Sequence, residues 1–208
     1  MATIANLFTR VRYMLEDTAA LDADRRWKDA ELEVWANECI RQIITLDPAE
    51  SPVTVTHTLS AGAYQTLLAT DLYLLDVIGN TGGAQIRMTD RATLDTTFPG
   101  WQQDTAKGTI KDVMYDPKNR RVFWTYPPAI NGTRIDIVVS QFPVDVTILS
   151  AFPLSDLYFN LAAEYICYRA HSKDAEEAVA ARAVAHLKLF NDGVAAITAR
   201  SAPPITAT

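Results

Sequence analysis

The chain has 208 residues, with nineteen basic against twenty-five acidic side chains and a formal charge of −6; 49% of it is hydrophobic and 21% charged. These proportions belong to a globular protein of one large domain or two small ones, and they exclude disordered and fibrous classes. Basic residues cluster only as doublets (Arg25-Arg26, Arg120-Arg121), which disfavours a nucleic-acid groove. The first 48 residues read as two helices. Ile4, Leu7, Phe8, Val11 and Leu15 recur at helical spacing, a polar linker spans Asp17 to Asp24, and a second helix starts near Trp27-Lys28-Asp29. Its stripe is Leu32, Trp35, Ala36, Cys39, Ile40 and Ile43, and Asp47-Pro48 stops it, because the residue before a proline is pushed out of the helical region. Asp29, Glu31 and Glu33 suit the positive end of the helix dipole.

From residue 50 to about 145 the period falls from 3.6 to 2. Val53, Val55, His57 and Leu59 alternate with threonines, as in a half-buried strand. Ala61-Gly62-Ala63 reads as a turn, Leu72 to Ile78 as a more buried strand, Asn80-Thr81-Gly82-Gly83 as a turn, and Ala84, Ile86 and Met88 as a short strand. Asp90 suits the cap of a brief helix ending before Pro99-Gly100. Ile110–Tyr115 and Arg121–Tyr126 flank Asp116-Pro117-Lys118-Asn119 as a hairpin with a four-residue loop, and Val122, Trp124 and Tyr126 share one face. Asn131-Gly132 turns the chain into Arg134–Gln141, with Ile135, Ile137 and Val139 inward. Six short strands suggest a small antiparallel barrel or sandwich.

After Pro153 the helical period returns. Leu157 to Tyr168 is apolar nearly all round, and a last helix begins near Asp174, with Glu177 at capping-box spacing and a stripe of Val179, Ala183, Leu187, Phe190, Val194 and Ile197. Pro203-Pro204 keeps residues 201–208 extended. The expected fold is α+β: a four-helix bundle made from residues 1–48 and 146–200, interrupted by an antiparallel β module over 49–145, with an extended tail at 201–208.

The chemistry is sparse. The two cysteines, Cys39 and Cys167, each lie in a helical pattern without a CxxC or Cys/His neighbourhood and read as small buried hydrophobes of a reducing compartment. Three scattered histidines do not make a metal cluster: His57 reads as a buried strand residue, His171 and His186 as capping or exposed. No HExxH, GxSxG or Walker loop occurs, the Gly79–Gly83 run joins two strands, and no nucleophile pairs with a base. No cofactor, metal or catalytic residue is expected, and the chain reads as no enzyme. Among the carboxylates, Asp71 suits a turn, and Asp76 interrupts an apolar strand, which points to an edge or interface. Trp101, in a Pro99-Gly100-Trp101-Gln102 loop, is either a core plug or an interface anchor. No apolar run approaches the roughly 20 residues of a membrane span, and Met1–Asn6 has neither the basic nor the apolar part of a signal peptide.

Arg26-Trp27-Lys28-Asp29-Ala30-Glu31-Leu32, followed by Trp35-Ala36-Asn37-Glu38-Cys39, resembles the helix-opening pattern of the head-to-tail adaptor (connector) proteins of tailed bacteriophages. Asn80 after the strand Leu72–Ile78, and Tyr115-Asp116-Pro117 before Val122-Phe123-Trp124, are similar to the same family, so the likeness spans most of residues 1–145. Lys28 stands where a small capping residue is usual and Cys39 where alanine is, neither upsetting a structural role. The resemblance implies a non-enzymatic virion protein at the head–tail interface, assembled in the host cytoplasm. It implies a ring, typically of twelve copies, between the portal and tail or nozzle proteins, through which double-stranded DNA passes without sequence-specific binding. Pro203, Pro204, Ile205 and Trp101 are then candidates for the portal or another partner, and Phe159, Ile166 and Asp76 for contacts between copies. A different reading makes the β module a carbohydrate- or partner-binding surface of a tail accessory protein, built on Trp101 beside Asp104.

Overall fold

A computed structural model describes residues 2–116, 119–173 and 177–201. The chain divides into two compact units, a helical one from Met1–Glu50 with Pro143–Thr208 and a β unit over Ser51–Phe142. The sequence reading sets its boundaries at 48/49 and 145/146, two and three residues from these. The β unit holds eight basic and eight acidic residues, so the whole formal charge of −6 belongs to the helical unit.

In the helical unit, α1 (Ile4–Met14) buries Ile4, Leu7, Phe8 and Val11, four of the five residues of the expected stripe; the fifth, Leu15, is its half-buried C-cap. It opens on Thr3, whose hydroxyl accepts from the Asn6 amide at 3.2 Å. α2 (Asp29–Leu46) buries all six residues of its expected stripe, and Ile44 besides. Asp47, ahead of Pro48, leaves the helical region at φ −130°, ψ 82°. α4 (Phe159–Ser172) buries Ala162, Ala163, Ile166, Cys167 and Ala170. α5 (Glu177–Ser201) buries Ala183, Phe190 and Val194. Val179 and the capping pair Asp174/Glu177 lie outside what is described of their side chains.

Three of these helices pack on the fourth. α1, α2 and α5 each make their main contact with α4, which serves as a hub. A helix apolar nearly all round suits that position, whereas α5 needs only the one stripe it turns to α4. At the α4–α5 crossing the two helices come so close that a Cβ on Gly193 would fall 2.3 Å from Cδ2 of Leu161.

Tyr158, just ahead of α4, is fully buried, and its hydroxyl donates to Oδ2 of Asp47 at 2.7 Å. Burial, that hydrogen bond and the charges of Asp47 and Glu50 all raise the phenol pKa above its ordinary value near 10. A phenol that is harder to ionise folded than unfolded contributes its full stability below about pH 10 and loses it as pH climbs further. Alkaline unfolding followed by circular dichroism is therefore expected to steepen above about pH 10, and Tyr158→Phe to flatten that dependence.

The β unit holds seven described strands in two sheets, with no closed barrel among the described residues. β1 (Pro52–Thr58), β7 (Arg134–Gln141) and β3 (Asp71–Asn80) form one sheet in the order β1-β7-β3, antiparallel throughout, with Val55 opposite Ile137 and Leu74 opposite Val139. β2 (Gly62–Thr66), β6 (Asn119–Ala129), β5 (Asp112–Asp116) and β4 (Arg87–Met88) form the other, in the order β2-β6-β5-β4. Leu74, Val77, Val113, Phe123, Ile135 and Ile137 share one core drawn from both sheets. Two expectations are corrected here. The Ala61-Gly62-Ala63 stretch leads straight into a strand, β2, and β4 runs parallel to β5 (Arg87 opposite Asp112), so the second sheet is mixed. The parallel pair is possible because α3 (Arg91–Thr97) carries the chain over between them. Asp116 pairs with Asn119 across the expected hairpin, and residues 117–118 lie outside the described residues.

Candidate functional site

The part of the family-like pattern that opens α2 is tied to the linker before it by a buried arginine. Arg12, on α1, is 6% exposed. Its guanidinium donates to Asp17 Oδ2 (3.2 Å), to the Trp27 carbonyl (2.9 Å) and to Asp29 Oδ1. Asp17 in turn accepts from the amides of Arg26 (2.9 Å) and Trp27 (3.0 Å). The first amide of α2, that of Asp29, donates to Asp22 Oδ1 at 2.9 Å, so a residue seven positions upstream caps the helix. Lys28 makes no side-chain cap of its own. Its ammonium instead takes the carbonyls of Asp22 (2.9 Å), Ala23 (2.6 Å) and Arg25 (2.9 Å), the C-terminal side of the 3-10 turn Asp22–Asp24. The polar linker is thus folded around three cations, Arg12, Arg25 and Lys28, with Trp27 set edge-on against Trp35 at 5.5 Å. Arg26 and Lys173 lie over the Trp27 ring at 5.1 and 5.5 Å, and Lys173 also pairs with Glu31.

The next turns of α2 hold the returning chain. Asn37 donates to the Val146 carbonyl (2.9 Å) and accepts from the Val146 amide (2.7 Å), copying one rung of a β-ladder with a side chain. Glu33 accepts from the Ile148 amide at 2.7 Å, and Glu38 pairs with Arg169 of α4 at 3.2 Å. In the β unit Asn80 repeats the device, donating to the Ile110 carbonyl and accepting from its amide, both at 2.8 Å, while its amide group also reaches the Ala84 carbonyl at 3.0 Å. The motif residues are therefore fasteners between distant stretches of chain.

Groups with displaced pKa values are displaced chiefly by burial. Cys39 and Cys167 are buried free thiols, the first held well above its ordinary value and the second pushed up to about 12 by burial and the charge of Glu164. His57 is buried edge-on to Phe123 at 5.7 Å and is held low by desolvation, with Asp71 opposing. His171 and His186 are not separate capping or exposed residues as expected: their rings stack at 5.4 Å, and His186 Nδ1 lies 2.5 Å from Glu164 between α4 and α5. Asp71 is a fully buried first residue of β3 that accepts from Gln141 Nε2 at 2.7 Å. No cluster of His, Cys, Asp or Glu able to hold a metal occurs among the described residues.

Open clefts lie on the helical unit instead. A groove of about 680 Å³ is lined by Asn6, Thr9, Arg10, Tyr13, Met14 and Phe159. A second, of about 430 Å³, lies between α2 and residues 145–147.

The sequence-derived site residues scatter. Phe159 lines the first groove, half-buried and edge-on to Phe152 at 5.5 Å. Ile166 is fully buried within its own subunit, as is Cys167, so neither belongs to an outer face; docking of α1, α2 and α5 around α4 uses up the apolar surface that looked surplus. Asp76 is exposed at a register shift in β3, an edge strand, where its carboxylate accepts from the Val77 amide. Trp101 is 1% exposed and packs with Ala63, Met114, Leu94, Trp124 and Tyr126; it is a core plug and offers no stacking platform. Gly100, at φ +87°, gives the turn that tucks it in, and the indole Nε1 donates to Asp95 at 2.7 Å. Trp101→Phe, which keeps one aromatic ring but gives up the pyrrole half of the indole and that bond, is expected to cost about 2–4 kcal/mol in urea unfolding without altering any binding. Pro203, Pro204 and Ile205 lie outside the described residues. The fastener network is absent from the sequence reading, although Asp17, Asp22 and Asp29 recurring around Arg25-Arg26 are a visible signal of it.

A helical unit laced by charged fasteners and grooved on its surface, with a β unit inserted, defines a protein that builds and docks. The family model of the SU10 adaptor protein matches residues 2–207, and the chain belongs to that family. It is a phage adaptor, of a structural family and a component of the virion that associates with portal and tail proteins in general. No curated protein matched the chain. None of the described helices is long and apolar enough to cross a membrane.

Proposed function

We propose that this adaptor closes a ring of identical subunits, twelve in number, between the portal and the tail or nozzle proteins, around the channel through which double-stranded DNA passes. Family membership over nearly the whole chain is the observation that carries this reading. A ring needs head-to-tail contacts between two different faces of one subunit. The helical unit supplies one in α5, which turns a single stripe to α4 and leaves Val184 and Leu189 exposed. Asp76, exposed on the β3 edge, offers a second contact made through its side chain, since a charge on an edge strand opposes strand pairing there. Phe159 belongs to a groove better suited to a docking segment than to a neighbouring copy, and Pro203, Pro204 and Ile205 supply a short apolar segment for a partner such as the portal. The net negative charge of the helical unit and a β unit of balanced charge keep passing DNA from sticking, because attraction to phosphates needs a positive excess.

Light scattering on a sizing column, with and without portal, together with electron microscopy of the mixture, tests this. A closed ring on the portal is the expected result. A subunit that stays single in both conditions overturns it.

A further inference from the structure

We propose that in solution two copies of this subunit join through the open edge of β1, the two strands pairing about a two-fold axis at Thr56. The inference goes beyond ring closure and uses an edge that the ring reading leaves free.

The outer edge of β1 carries unused backbone groups. The Leu59 amide donates to the Thr133 carbonyl at 2.8 Å, and the Gln141 amide to the Ser51 carbonyl at 3.2 Å. Those bonds put the odd-numbered residues of β1 in its hydrogen-bonded pairs with β7, so the amides and carbonyls of Thr54, Thr56 and Thr58 point the other way. All three threonines are exposed, and none of these backbone groups has a partner among the described residues. The edge also lacks the usual guards against pairing. Pro52-Val53-Thr54-Val55-Thr56-His57-Thr58 has no acid, lysine or arginine, its register on β7 runs unbroken, and its proline stands at the first position. Asp136, opposite Thr56 on β7, is held by the hydroxyls of Thr56 and Thr81 at 2.8 Å each.

The other described edges do not match it. β3 has Asp76 and three register shifts, and its end is covered where Gly79 bridges Gln85. β2 is broken by a shift between Gly62 and Tyr64, and β4 has two residues. The strand that fits β1 is a second β1. Antiparallel pairing about Thr56 sets Thr54 opposite Thr58 and Thr56 opposite its own copy. Each outward amide then meets an outward carbonyl, about six hydrogen bonds in all. On the outer face threonine meets threonine, a favourable cross-strand pair. On the inner face Val55 meets His57, and Val53, 37% exposed, meets Leu59. One strand pair buries less than about 1,200 Å², so the pairing is weak and reversible, as suits a form that precedes assembly. The same patch serves both copies, so the contact closes at two and leaves no open edge to seed fibres.

Cysteine cross-linking in the full chain tests the register. Across the two-fold the Cα atoms of position 56 lie about 5.5 Å apart, within the range of about 4.4–6.8 Å that a disulfide allows, so Thr56→Cys is expected to oxidise to a covalent dimer. The two copies of position 54 lie about 13 Å apart along the strands, and Thr54→Cys is expected to cross-link at least about tenfold more slowly. Cys39 and Cys167 are buried and do not compete. For the unaltered chain, sedimentation velocity is expected to show a mass rising from one chain towards two through the micromolar range, with hydrogen exchange at Thr54, Thr56 and Thr58 slowing in step. Thr56→Lys sets two ammonium groups opposite each other and leaves the bonds to β7 intact, and it is expected to weaken the pairing about tenfold. Equal cross-linking at positions 54 and 56 overturns the proposal, as does a chain that stays single with those amides exchanging fast at every concentration. Slowing that appears only when portal or a tail protein is added also overturns it, since the edge would then belong to a foreign strand. Thr56→Lys is expected to close a ring on the portal as the unaltered chain does; if neither closes one while the unaltered chain still pairs, the ring reading fails and this one stands.

Discussion

Replacing Arg12 by alanine is expected to destabilise the helical unit by about 3–5 kcal/mol, the range found when one partner of a buried ion pair is removed. The reason lies in what the guanidinium leaves behind. Asp17, as buried as Arg12 itself, would keep its two backbone amides but lose its counter-charge, and the Trp27 carbonyl would lose its donor. Asp29 would retain only Arg25, whose nitrogen sits 3.4 Å away. The outcome is local before it is global: the linker between α1 and α2 has few buried apolar residues apart from Trp27, so the polar network is what shapes it. Arg12→Lys is expected to recover only part of the loss, since a single ammonium cannot reach two carboxylates and a carbonyl as a planar fork does. Urea unfolding of the two variants, with hydrogen exchange across residues 15–30, checks both the magnitude and the place. A loss under about 1 kcal/mol for Arg12→Ala would mean that the carboxylates find solvent at little cost.

That network also shows where reading the sequence stops. The helices were legible because burial on one face leaves a repeating stripe: all six predicted residues of α2 are buried, and four of five in α1. Arg12 was not, because a charged residue next to Val11 looks like the start of the solvent face, and only the folded linker supplies the three carboxylates that make its burial affordable. β2 was hidden for a different reason. Its five residues begin with a glycine that reads as a turn, and its pairing to β6 is a tertiary fact. The parallel β4–β5 pair was half visible, since the short helix between two strands was recognised and a helix crossing between strands is what parallel pairing requires. Ile166 failed as an interface residue because the sequence shows how apolar α4 is but not how many helices surround it. Asn37 enters the sequence reading only through the resemblance, and Asn80 through it and as the first residue of a turn; neither is marked there as a clamp. Their spacing carries no periodic signal, since each acts on a residue far along the chain.

Asn80→Ala is the sharper of the two asparagine tests. Asn80 holds both polar groups of the Ile110 backbone, and Ile110 is almost wholly buried in the core shared by the two sheets. Removing the side chain leaves that amide and carbonyl without partners, at about 1–3 kcal/mol for each buried group, so a loss of about 2–4 kcal/mol in the β unit is expected. Asn80→Asp separates geometry from polarity. It has nearly the same shape and still accepts from the Ile110 amide, but it turns a negative oxygen toward the Ile110 and Ala84 carbonyls, so it is expected to lose at least as much as alanine. Asn37→Ala removes the same kind of clamp at a more accessible place, where water can take over the Val146 groups, and the cost should fall to about 1–2 kcal/mol. The ordering Asn80→Asp at least equal to Asn80→Ala, and both above Asn37→Ala, is read from urea midpoints of the three variants. Were Asn37→Ala the most damaging, the family's asparagines would matter for the path of the chain after the β unit more than for the β core itself.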